Sequence, residues 1–536
     1  MTSDVREDAI AIVGMSCRLP GARDIDSLWR LLDEGATAVK PVSPKGLPDR
    51  SQEPGDTDRF YGGLVEDIDR FDAEFFGITT REATAMDPQQ RLVLELAWHA
   101  LEHAAIVPAD LAGTRVGVFL GVGSDDYAKL AIRAGEDSIG QQTFTGQNRA
   151  LIANRVSYSL GLSGPSLVVD TGQSSSLVAV QLACESIRSG ASALALAGGI
   201  QLNFLSDGFV AAERFGGLSP DGRPYVFDSR ANGFVRGEGG GLVVLKSLRQ
   251  ALIDGDRVHA VIRGGAVNND GGGTSLTTPS PDAQQEVLRR AYEQAGVTPA
   301  EVAFVELHGT GTPVGDALEA EALGAVLGRP PATEAKPLPV GSIKANIGHL
   351  EAAAGIAGLL KVVLCLRERR LAPSLNFVAA GPPLESLGLA VNTRSISLGS
   401  APLVAGVSSF GVGGTNCHVV LSTWDNAIAP DDRGPAVVPP LLISGRSERA
   451  VRANAAEVAA FLRAQPEARA IDVAFTLATN RTQFGHRAML VSGPEDGSTL
   501  LTELEMFAAG AGEVSVASDR GRPIFVFPGQ GAQWAG

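Results

Sequence analysis

Residues 167–190, LVVDTGQSSSLVAVQLACESIRSG, decide the fold of this chain. Leu167–Asp170 is mostly apolar and β-branched, which predicts a short buried strand. Gly172 permits a tight turn, and the small and apolar residues of Leu177–Arg188 predict a buried helix. A strand that turns sharply into a buried helix directs one side chain, and the first amide groups of the helix, at a single point.

The residue at that turn is Gln173, where enzymes place a nucleophile because the helix N-terminus stabilises negative charge. A carboxamide is not a useful nucleophile and only donates and accepts hydrogen bonds. Ser174, Ser175 and Ser176 offer hydroxyl groups for the helix N-cap. Taken alone, the stretch also fits a structural turn capped by serines, whereas the other motifs of the chain favour a catalytic one.

The composition narrows the function classes. The chain has 536 residues, 44% of them hydrophobic, which suits a large α/β enzyme. Its net charge of −15 argues against binding to nucleic acid or to an anionic membrane. No apolar run is long enough for a membrane span, the first residues are polar, and the four cysteines are scattered, which together favour a reducing cytoplasm.

Further strands and helices alternate along the chain. The predicted strands are Ala9–Gly14, Arg115–Gly121, Ala193–Gly198, Leu242–Leu245, Val258–Gly264, Val302–Leu307, Val340–Ile343 and Val404–Val407. The predicted helices are Met86–Ala105, Gln147–Gly161 and Pro281–Gly296. A second strand–loop–helix unit spans Val340–Leu366 and shares the alanine, glycine and leucine content of the first, which indicates an internal duplication. The glycines of residues 237–241, GEGGG, predict a bend before the strand that starts at Leu242.

Histidines follow two of these strands. His308 lies in HGTGTPVGD and His349 in KANIGHLEAAAG, each beside glycines that permit close approach of a ligand. A buried core histidine is the alternative for each. His99 and His103 have the spacing of metal ligands on a helix, but no third ligand is evident, so we predict no metal site. His418 lies in a strand-like run and is predicted to be structural.

Four motifs occur in order along the chain: VVDTGQSSSLVAVQLA, VELHGTGTPVGD, GSIKANIGHLEAAAG and SSFGVGGTNCHVVL. Together they closely resemble the β-ketoacyl synthase family, specifically the ketosynthase domains of modular polyketide synthases. The resemblance implies an α/β, thiolase-like fold of two duplicated halves, layered αβαβα, followed by a small α/β linker domain. The domains it implies are an N-terminal tail (1–8), a ketosynthase-like domain (9–425, with halves of about 9–256 and 257–425), a ketosynthase-to-acyltransferase linker domain (426–521) and the first residues of an acyltransferase domain (522–536).

The family's active site is a Cys-His-His set. His308 and His349 match the two histidines, and Lys344 matches the family lysine. Gln173 stands where the cysteine belongs, in a motif that ordinarily reads TACSSS. This departure resembles the ketosynthase-like domains of loading modules, called the KSQ type, which decarboxylate an extender unit to make a starter unit.

The resemblance therefore implies decarboxylation of a malonyl- or methylmalonyl-type thioester on an acyl carrier protein, which yields an acetyl- or propionyl-type starter for polyketide biosynthesis. Without the thiol there is no acyl transfer or condensation, whereas decarboxylation needs only a desolvated carboxylate and a stabilised thioester oxygen. His308 and His349 would hold that oxygen. Gln173 would either position the substrate or mimic the shape of an acylated cysteine, and the sequence leaves both roles open.

Supporting roles follow from the same motifs. Lys344 would fix the histidine geometry, with Glu351 as its counter-ion. Asn346 would lie behind the residues that contact the substrate. A solvent-facing lysine is the alternative for Lys344. Thr310 and Thr312 would bind the pantetheine arm of the carrier or else cap a turn.

The substrate site would also include Phe410 and Val412, and the backbone N–H groups of Gln173 and Val412 align with the family's oxyanion hole. No metal or organic cofactor is implied beyond the phosphopantetheine of the carrier. The implied partners are the acyl carrier protein domain, the fused acyltransferase domain and a second copy of the chain in a homodimer.

Two alternative functions remain. The chain could be an inactive scaffold that dimerises and docks the acyltransferase and carrier domains, although such scaffold proteins usually lose the other catalytic residues as well. It could also be a condensing enzyme that uses Cys184 or Cys417, which is disfavoured because neither cysteine lies at the turn.

Overall fold

The computed structural model describes residues 8–42, 60–272, 275–329, 336–425, 440–491 and 497–517. The chain forms two compact units, Met1–Ile428 and Ala429–Gly536. Most of the predicted N-terminal tail, and all of the predicted start of an acyltransferase domain, lie outside the described residues.

The first unit alternates strands and helices along its whole length. Its strands are β1 (Ile10–Arg18), β2 (Lys40–Pro41), β3 (Tyr61–Gly63), β4 (Val116–Val122), β5 (Ser166–Val169), β6 (Leu194–Gln201), β7 (Arg236–Gly237), β8 (Gly239–Ser247), β9 (Ala260–Asn269), β10 (Val302–Glu306), β11 (Leu338–Gly341), β12 (Arg370–Leu371), β13 (Leu389–Val391), β14 (Ile396–Ser397), β15 (Val404–Phe410) and β16 (Thr415–Ser422). Its helices are α1 (Ile25–Asp33), α2 (Thr80–Ala85), α3 (Pro88–His103), α4 (Asp126–Arg133), α5 (Thr143–Gln147), α6 (Leu151–Leu160), α7 (Ser175–Arg188), α8 (Asp207–Arg214), α9 (Leu248–Asp254), α10 (Pro281–Ala295), α11 (Pro313–Leu327), α12 (Lys344–Ile347) and α13 (Ala354–Arg367).

An 11-stranded sheet runs through this unit in the order β13-β11-β10-β15-β16-β9-β1-β8-β6-β4-β5. Its two halves have the same strand order: β5-β4-β6-β8-β1 in the first corresponds to β11-β10-β15-β16-β9 in the second. The pairing directions also agree, with two parallel pairs followed by two antiparallel pairs in each half. β1 and β9 pair antiparallel and join the halves. The predicted internal duplication is therefore confirmed.

The central helices α7 and α13 follow corresponding strands, β5 and β11, and contact each other. Their contact requires small residues: a Cβ atom on Gly355 would lie 2.7 Å from the Cβ atom of Leu177. The start of α7 lies equally close to the sheet, since a Cβ atom on Gly121 would lie 2.3 Å from the backbone nitrogen of Ser176. Close packing thus holds the turn before α7 in place.

Some predicted boundaries were wrong. The glycines of GEGGG do not form a bend, because β8 already begins at Gly239. A Cβ atom on Gly240 would lie 2.6 Å from the side chain of Ile200, so the strand needs glycine where a neighbouring strand crowds it. The helix predicted from Gln147 begins at Leu151, because Gln147 ends the separate helix α5. Among the described residues, no helix has the length and apolar character needed to cross a bilayer.

The second unit is a small α/β unit, as the resemblance implies, and its described residues begin with a strand, two helices and a second strand. Its elements are β17 (Leu441–Gly445), α14 (Glu448–Ala464), α15 (Ala470–Thr479), β18 (His486–Leu490), α16 (Gly497–Ala508) and β19 (Ser515–Val516). The three strands in the part of this unit that the structure describes form an antiparallel sheet in the order β17-β18-β19.

Candidate active site

A cavity of about 400 Å³ lies where the ends of corresponding strands meet in the first unit. The turn between β5 and α7 contributes Gln173, and the loop after β10 contributes His308. The segment between α12 and α13 contributes His349, and the end of β15 contributes Phe410. The fold thus brings together side chains that are far apart in the sequence.

His308 is held as a neutral hydrogen-bond donor. Its Nδ1 atom accepts a hydrogen bond from the backbone N–H of Phe410 at 3.2 Å. Because an N–H group can only donate, Nδ1 is unprotonated and the proton lies on Nε2. Burial, together with the positive charge of Lys344, holds the pKa of His308 well below 6.5.

His349 has the same arrangement. Its Nδ1 atom accepts a hydrogen bond from the backbone N–H of Glu351 at 3.0 Å, so Nε2 again carries the proton. Burial, reinforced by Lys344 and Arg236, holds its pKa well below 6.5. The two imidazole rings lie 5.5 Å apart, centroid to centroid. The cavity therefore presents two neutral Nε2–H donors whose rings are neighbours.

Gln173 is held at both its backbone and its side chain. Its Oε1 atom accepts a hydrogen bond from the backbone N–H of Val412 at 2.7 Å. Its backbone oxygen accepts one from the hydroxyl of Ser409 at 2.8 Å. Within the described residues the Nε2 group of Gln173 has no hydrogen-bond partner, and the side chain lines the cavity. The carboxamide thus occupies the Val412 N–H group and keeps its own donors for a ligand.

Lys344 is buried, so the solvent-facing alternative is wrong. Its Nζ atom donates a hydrogen bond to the backbone oxygen of His308. Burial lowers its pKa to about 8, and the acidic neighbours that oppose this shift are Glu306, Glu319 and Asp316. The predicted counter-ion Glu351 instead forms an ion pair with Arg236.

Two buried carboxylates on α11 were missed in the sequence. Glu319 accepts hydrogen bonds from the backbone N–H groups of His308 and Gly309, at 2.7 and 2.8 Å. Asp316 accepts hydrogen bonds from Phe227 and Gly311, at 2.7 and 3.1 Å. Burial raises the pKa of each to about 7. Their spacing of three residues on one face of a helix of small residues was the available signal.

Of the other predicted site residues, some line the cavity and one lies in the core. Thr310 and Thr312 line the cavity, with their hydroxyl oxygens 2.9 Å apart. Val412 also lines it and is 48% exposed. Asn346 is buried and donates a hydrogen bond to the backbone oxygen of Ala36 at 2.9 Å, so it ties down the segment after α1.

His103, His418, Cys184 and Cys417 are not among the residues that line the cavity. His418 is buried between the hydroxyls of Ser408 and Tyr292, as predicted. His103 accepts a hydrogen bond from the backbone N–H of Met15 at 3.2 Å. Cys184 and Cys417 are fully buried, and burial raises the pKa of both thiols, which does not suit a nucleophile.

Family models match most of the chain. They are "Beta-ketoacyl synthase, N-terminal domain" over residues 7–251, "Beta-ketoacyl synthase, C-terminal domain" over residues 259–378 and "Ketoacyl-synthetase C-terminal extension" over residues 380–491. Among curated relatives, polyketide synthase GfsA of Streptomyces halstedii is 53% identical over 99% of this chain and 7% of its own length. Erythronolide synthase EryA3 of Saccharopolyspora erythraea is 42% identical over 99% of this chain and 17% of its own length. The chain thus spans only a small part of the length of these relatives.

Solved structures match over nearly the whole chain. The ketosynthase from module 6 of the bacillaene synthase of Bacillus subtilis has a TM-score of 0.84 and 34% identity, covering 95% of this chain and 87% of that one. The oxazolomycin ketosynthase domain OzmH KS7 of Streptomyces albus has a TM-score of 0.86 and 34% identity, covering 96% and 91%. The fold is therefore the thiolase-like ketosynthase fold. The chain belongs to the β-ketoacyl synthase family, as a ketosynthase of the modular polyketide synthase type.

Proposed function

We propose that this ketosynthase decarboxylates a malonyl- or methylmalonyl-type thioester carried by an acyl carrier protein, and that it neither accepts an acyl chain nor condenses two. In this proposal it is a KSQ-type domain of a loading module, and its product is an acetyl- or propionyl-type starter unit. The observation that carries the proposal is Gln173: the residue at the nucleophile's place is a carboxamide whose Oε1 atom is bound to the Val412 N–H group.

The two cavity histidines supply the chemistry. The Nε2–H groups of His308 and His349 would both donate to the thioester oxygen of the substrate. The bond between the carboxylate carbon and the α-carbon breaks, its electron pair forms an enolate on the thioester, and carbon dioxide leaves. The donors stabilise the negative charge that develops on the thioester oxygen, and water then protonates the α-carbon. This step needs neither a thiol nor a change in the protonation of either histidine.

Gln173 supports the decarboxylating form in two ways. Its carbonyl lies against Val412 N–H, as the carbonyl of an acylated cysteine would in an oxyanion hole, so the hole used for acyl transfer is filled. Its Nε2 group faces the ligand space and would donate to the substrate. We therefore combine the two roles that the sequence left open.

The partners follow from the substrate. An acyl carrier protein domain would deliver the thioester on its phosphopantetheine arm, past Thr310 and Thr312 at the cavity wall. We also propose that the domain works beside a fused acyltransferase, in the cytoplasm.

A homodimer is supported by the edge of the sheet. β5 is the last strand, so one of its sides has no neighbour within the sheet. Large apolar side chains are exposed on the helices just before it: Phe144 is 81% exposed and Tyr158 is 87% exposed. A second copy of the chain would cover both features.

The inactive-scaffold alternative has no support from these observations. A scaffold would have no need to hold two histidines as neutral donors around a cavity, nor to bury Lys344 behind them. The chemistry of the site argues for catalysis.

Mass spectrometry of the carrier protein tests the proposal. Malonyl- and methylmalonyl-carrier proteins should each lose the mass of carbon dioxide when the enzyme is added, and the faster reaction identifies the substrate. The matched variant Gln173→Cys should form an acyl-enzyme with acyl thioesters, whereas the wild type should not. An unchanged carrier mass with a folded wild-type protein and its cognate carrier domain would leave the scaffold as the better explanation.

A further inference from the structure

We propose that Arg236 and Glu351 together position His349 and fix its Nε2–H tautomer. The catalytic consequence of this role rests on the decarboxylation proposed above. The positioning itself does not, because it is visible in the contacts of His349.

Backbone hydrogen bonds join His349 to the residues before and after Arg236. The N–H of His349 donates to the backbone oxygen of Val235 at 2.7 Å, and the N–H of Gly237 donates to the backbone oxygen of His349 at 2.8 Å. These bonds form a parallel bridge between Arg236 and His349. The position of the histidine backbone is therefore tied to that of Arg236.

The side chain of Arg236 binds Glu351, which lies two positions after His349 in the chain. Its Nη2 atom donates to Oε2 of Glu351 at 3.1 Å, and its Nε atom donates to Oε1. Gln201 donates a third hydrogen bond to this carboxylate at 3.0 Å. The side chain of Arg236 is 7% exposed, and that of Glu351 is 25% exposed where it lines the cavity, so the pair is shielded from bulk water on its other sides. A bidentate ion pair of this kind fixes the relative orientation of the two side chains as well as neutralising their charges.

Glu351 needs this anchor because its backbone is strained. Its φ angle is +47°, in the left-handed region that residues with a Cβ atom rarely adopt. In this conformation its N–H group lies 3.0 Å from Nδ1 of His349 and donates to it. The anchored carboxylate thus maintains a backbone conformation that supplies the hydrogen bond.

That hydrogen bond decides which nitrogen of His349 faces the substrate as a donor. While the Glu351 N–H donates to Nδ1, only Nε2 carries a proton. If Glu351 relaxed to an ordinary backbone conformation, Nδ1 would lose its donor and the other tautomer would become accessible. In that tautomer Nε2 is an acceptor and repels an oxyanion. Arg236 and Glu351 are therefore positioning residues, since they act through His349.

Asparagine separates this role from simple ion pairing, because it tolerates the left-handed conformation far better than alanine does. We would compare Arg236→Met/Glu351→Asn with Arg236→Met/Glu351→Ala. Both double variants lack the ion pair, and both remove the positive charge of Arg236 from the buried carboxylates Glu238 and Asp126 to the same extent. They differ in how readily residue 351 keeps its left-handed backbone. The control is Glu82→Gln, which removes a partly buried ion pair with Arg155 outside the cavity.

We expect the alanine version to lose about 100-fold in the decarboxylation rate constant kcat, as for loss of one oxyanion donor. The asparagine version should be at least about tenfold faster than the alanine version, with KM changed less than about threefold in both. The control should keep its rate. Equal rates for the asparagine and alanine versions would overturn the proposal.

A second measurement does not depend on activity. Nitrogen NMR of protein carrying ¹⁵N-labelled histidine, with His349 assigned by its loss in His349→Gln, reports the tautomer directly. We expect unprotonated Nδ1 in the wild type and a mixture of tautomers in the alanine version. An unchanged tautomer in the alanine version would refute the positioning role. If the wild type does not decarboxylate malonyl-carrier protein, the proposed function fails while this measurement still decides the positioning role.

Discussion

Replacing His308 by asparagine should abolish most of the activity while leaving the fold intact. The Oδ1 atom of asparagine can take the place of Nδ1 and accept the hydrogen bond from the Phe410 N–H, but asparagine has no group at the Nε2 position. Loss of one oxyanion donor typically costs about 3–4 kcal/mol, so we expect kcat to fall by about 100- to 1000-fold. The deleted ring atoms border an existing cavity, so no new void is formed.

Alanine at position 308 provides the matched comparison. It removes the same donor but also leaves the buried Phe410 N–H without a partner, which should lower the free energy of unfolding by a further ~1–3 kcal/mol. Decarboxylation in single-turnover reactions, followed by carrier mass, and urea unfolding at neutral pH measure the two effects. The reasoning would be refuted if His308→Asn kept more than about a third of the rate, or if both variants unfolded at the same urea concentration.

Three further predictions test the electrostatics and assembly. The ¹⁵N signals of His308 and His349 should remain those of neutral rings as pH falls from about 7.5 to about 6, because burial holds the pKa of both cavity histidines well below 6.5; a titration with a midpoint near 6.5 at either ring would contradict this. Burial lowers the pKa of His418 to about 3. The unfolded chain therefore binds a proton below about pH 6.5 that the folded chain does not, and the free energy of unfolding should fall by about 2 kcal/mol between about pH 7 and pH 5; His418→Gln should lack this part of the fall in urea titrations. Tyr158→Glu should convert a dimer into a monomer in sedimentation experiments, and a protein that sediments as a monomer without the substitution would disprove the dimer.

A further prediction concerns Lys344→Met. This substitution removes the donor to the His308 carbonyl and a positive charge that lowers the pKa of both histidines. We expect at least about a tenfold lower rate, because small displacements of a catalytic group are costly. Lys246→Met is the control, since Lys246 pairs with Asp254 and Asp256. Equal rates for the two variants would show that Lys344 has no role in the site.

The sequence was most informative where local pattern and global fold agree. The apolar run before Gln173 and the small residues after it predict a buried strand, a turn and a buried helix; the structure has all three elements, but the strand lies at the edge of the sheet and is only half-buried within the chain. The resemblance to the β-ketoacyl synthase family placed His308 and His349 in one site, and in the structure each follows one of two neighbouring parallel strands of the second half. Periodicity and motif order were sufficient for these features.

Side-chain partners were less predictable, because proximity in the sequence is a poor guide to pairing. Glu351 is seven residues from Lys344, yet its carboxylate reaches Arg236, more than a hundred residues earlier. The glycines at 239–241 have the composition of a bend, but β8 needs them to fit beside a neighbouring strand. In both cases contacts between residues far apart in the sequence decide the local structure, and these contacts cannot be predicted from a local sequence pattern.

The pairing of β1 has a consequence for how the chain is made. Ile10 pairs with Ser247 on one side and with Ile262 on the other. During synthesis, β1 therefore has no partner strand to pair with until more than 200 further residues have been made. At synthesis rates of about 5–20 residues per second this wait lasts roughly 10–50 seconds. During that time an apolar strand with two open edges is exposed to aggregation, and a chaperone that shelters nascent chains would be most useful at this stage.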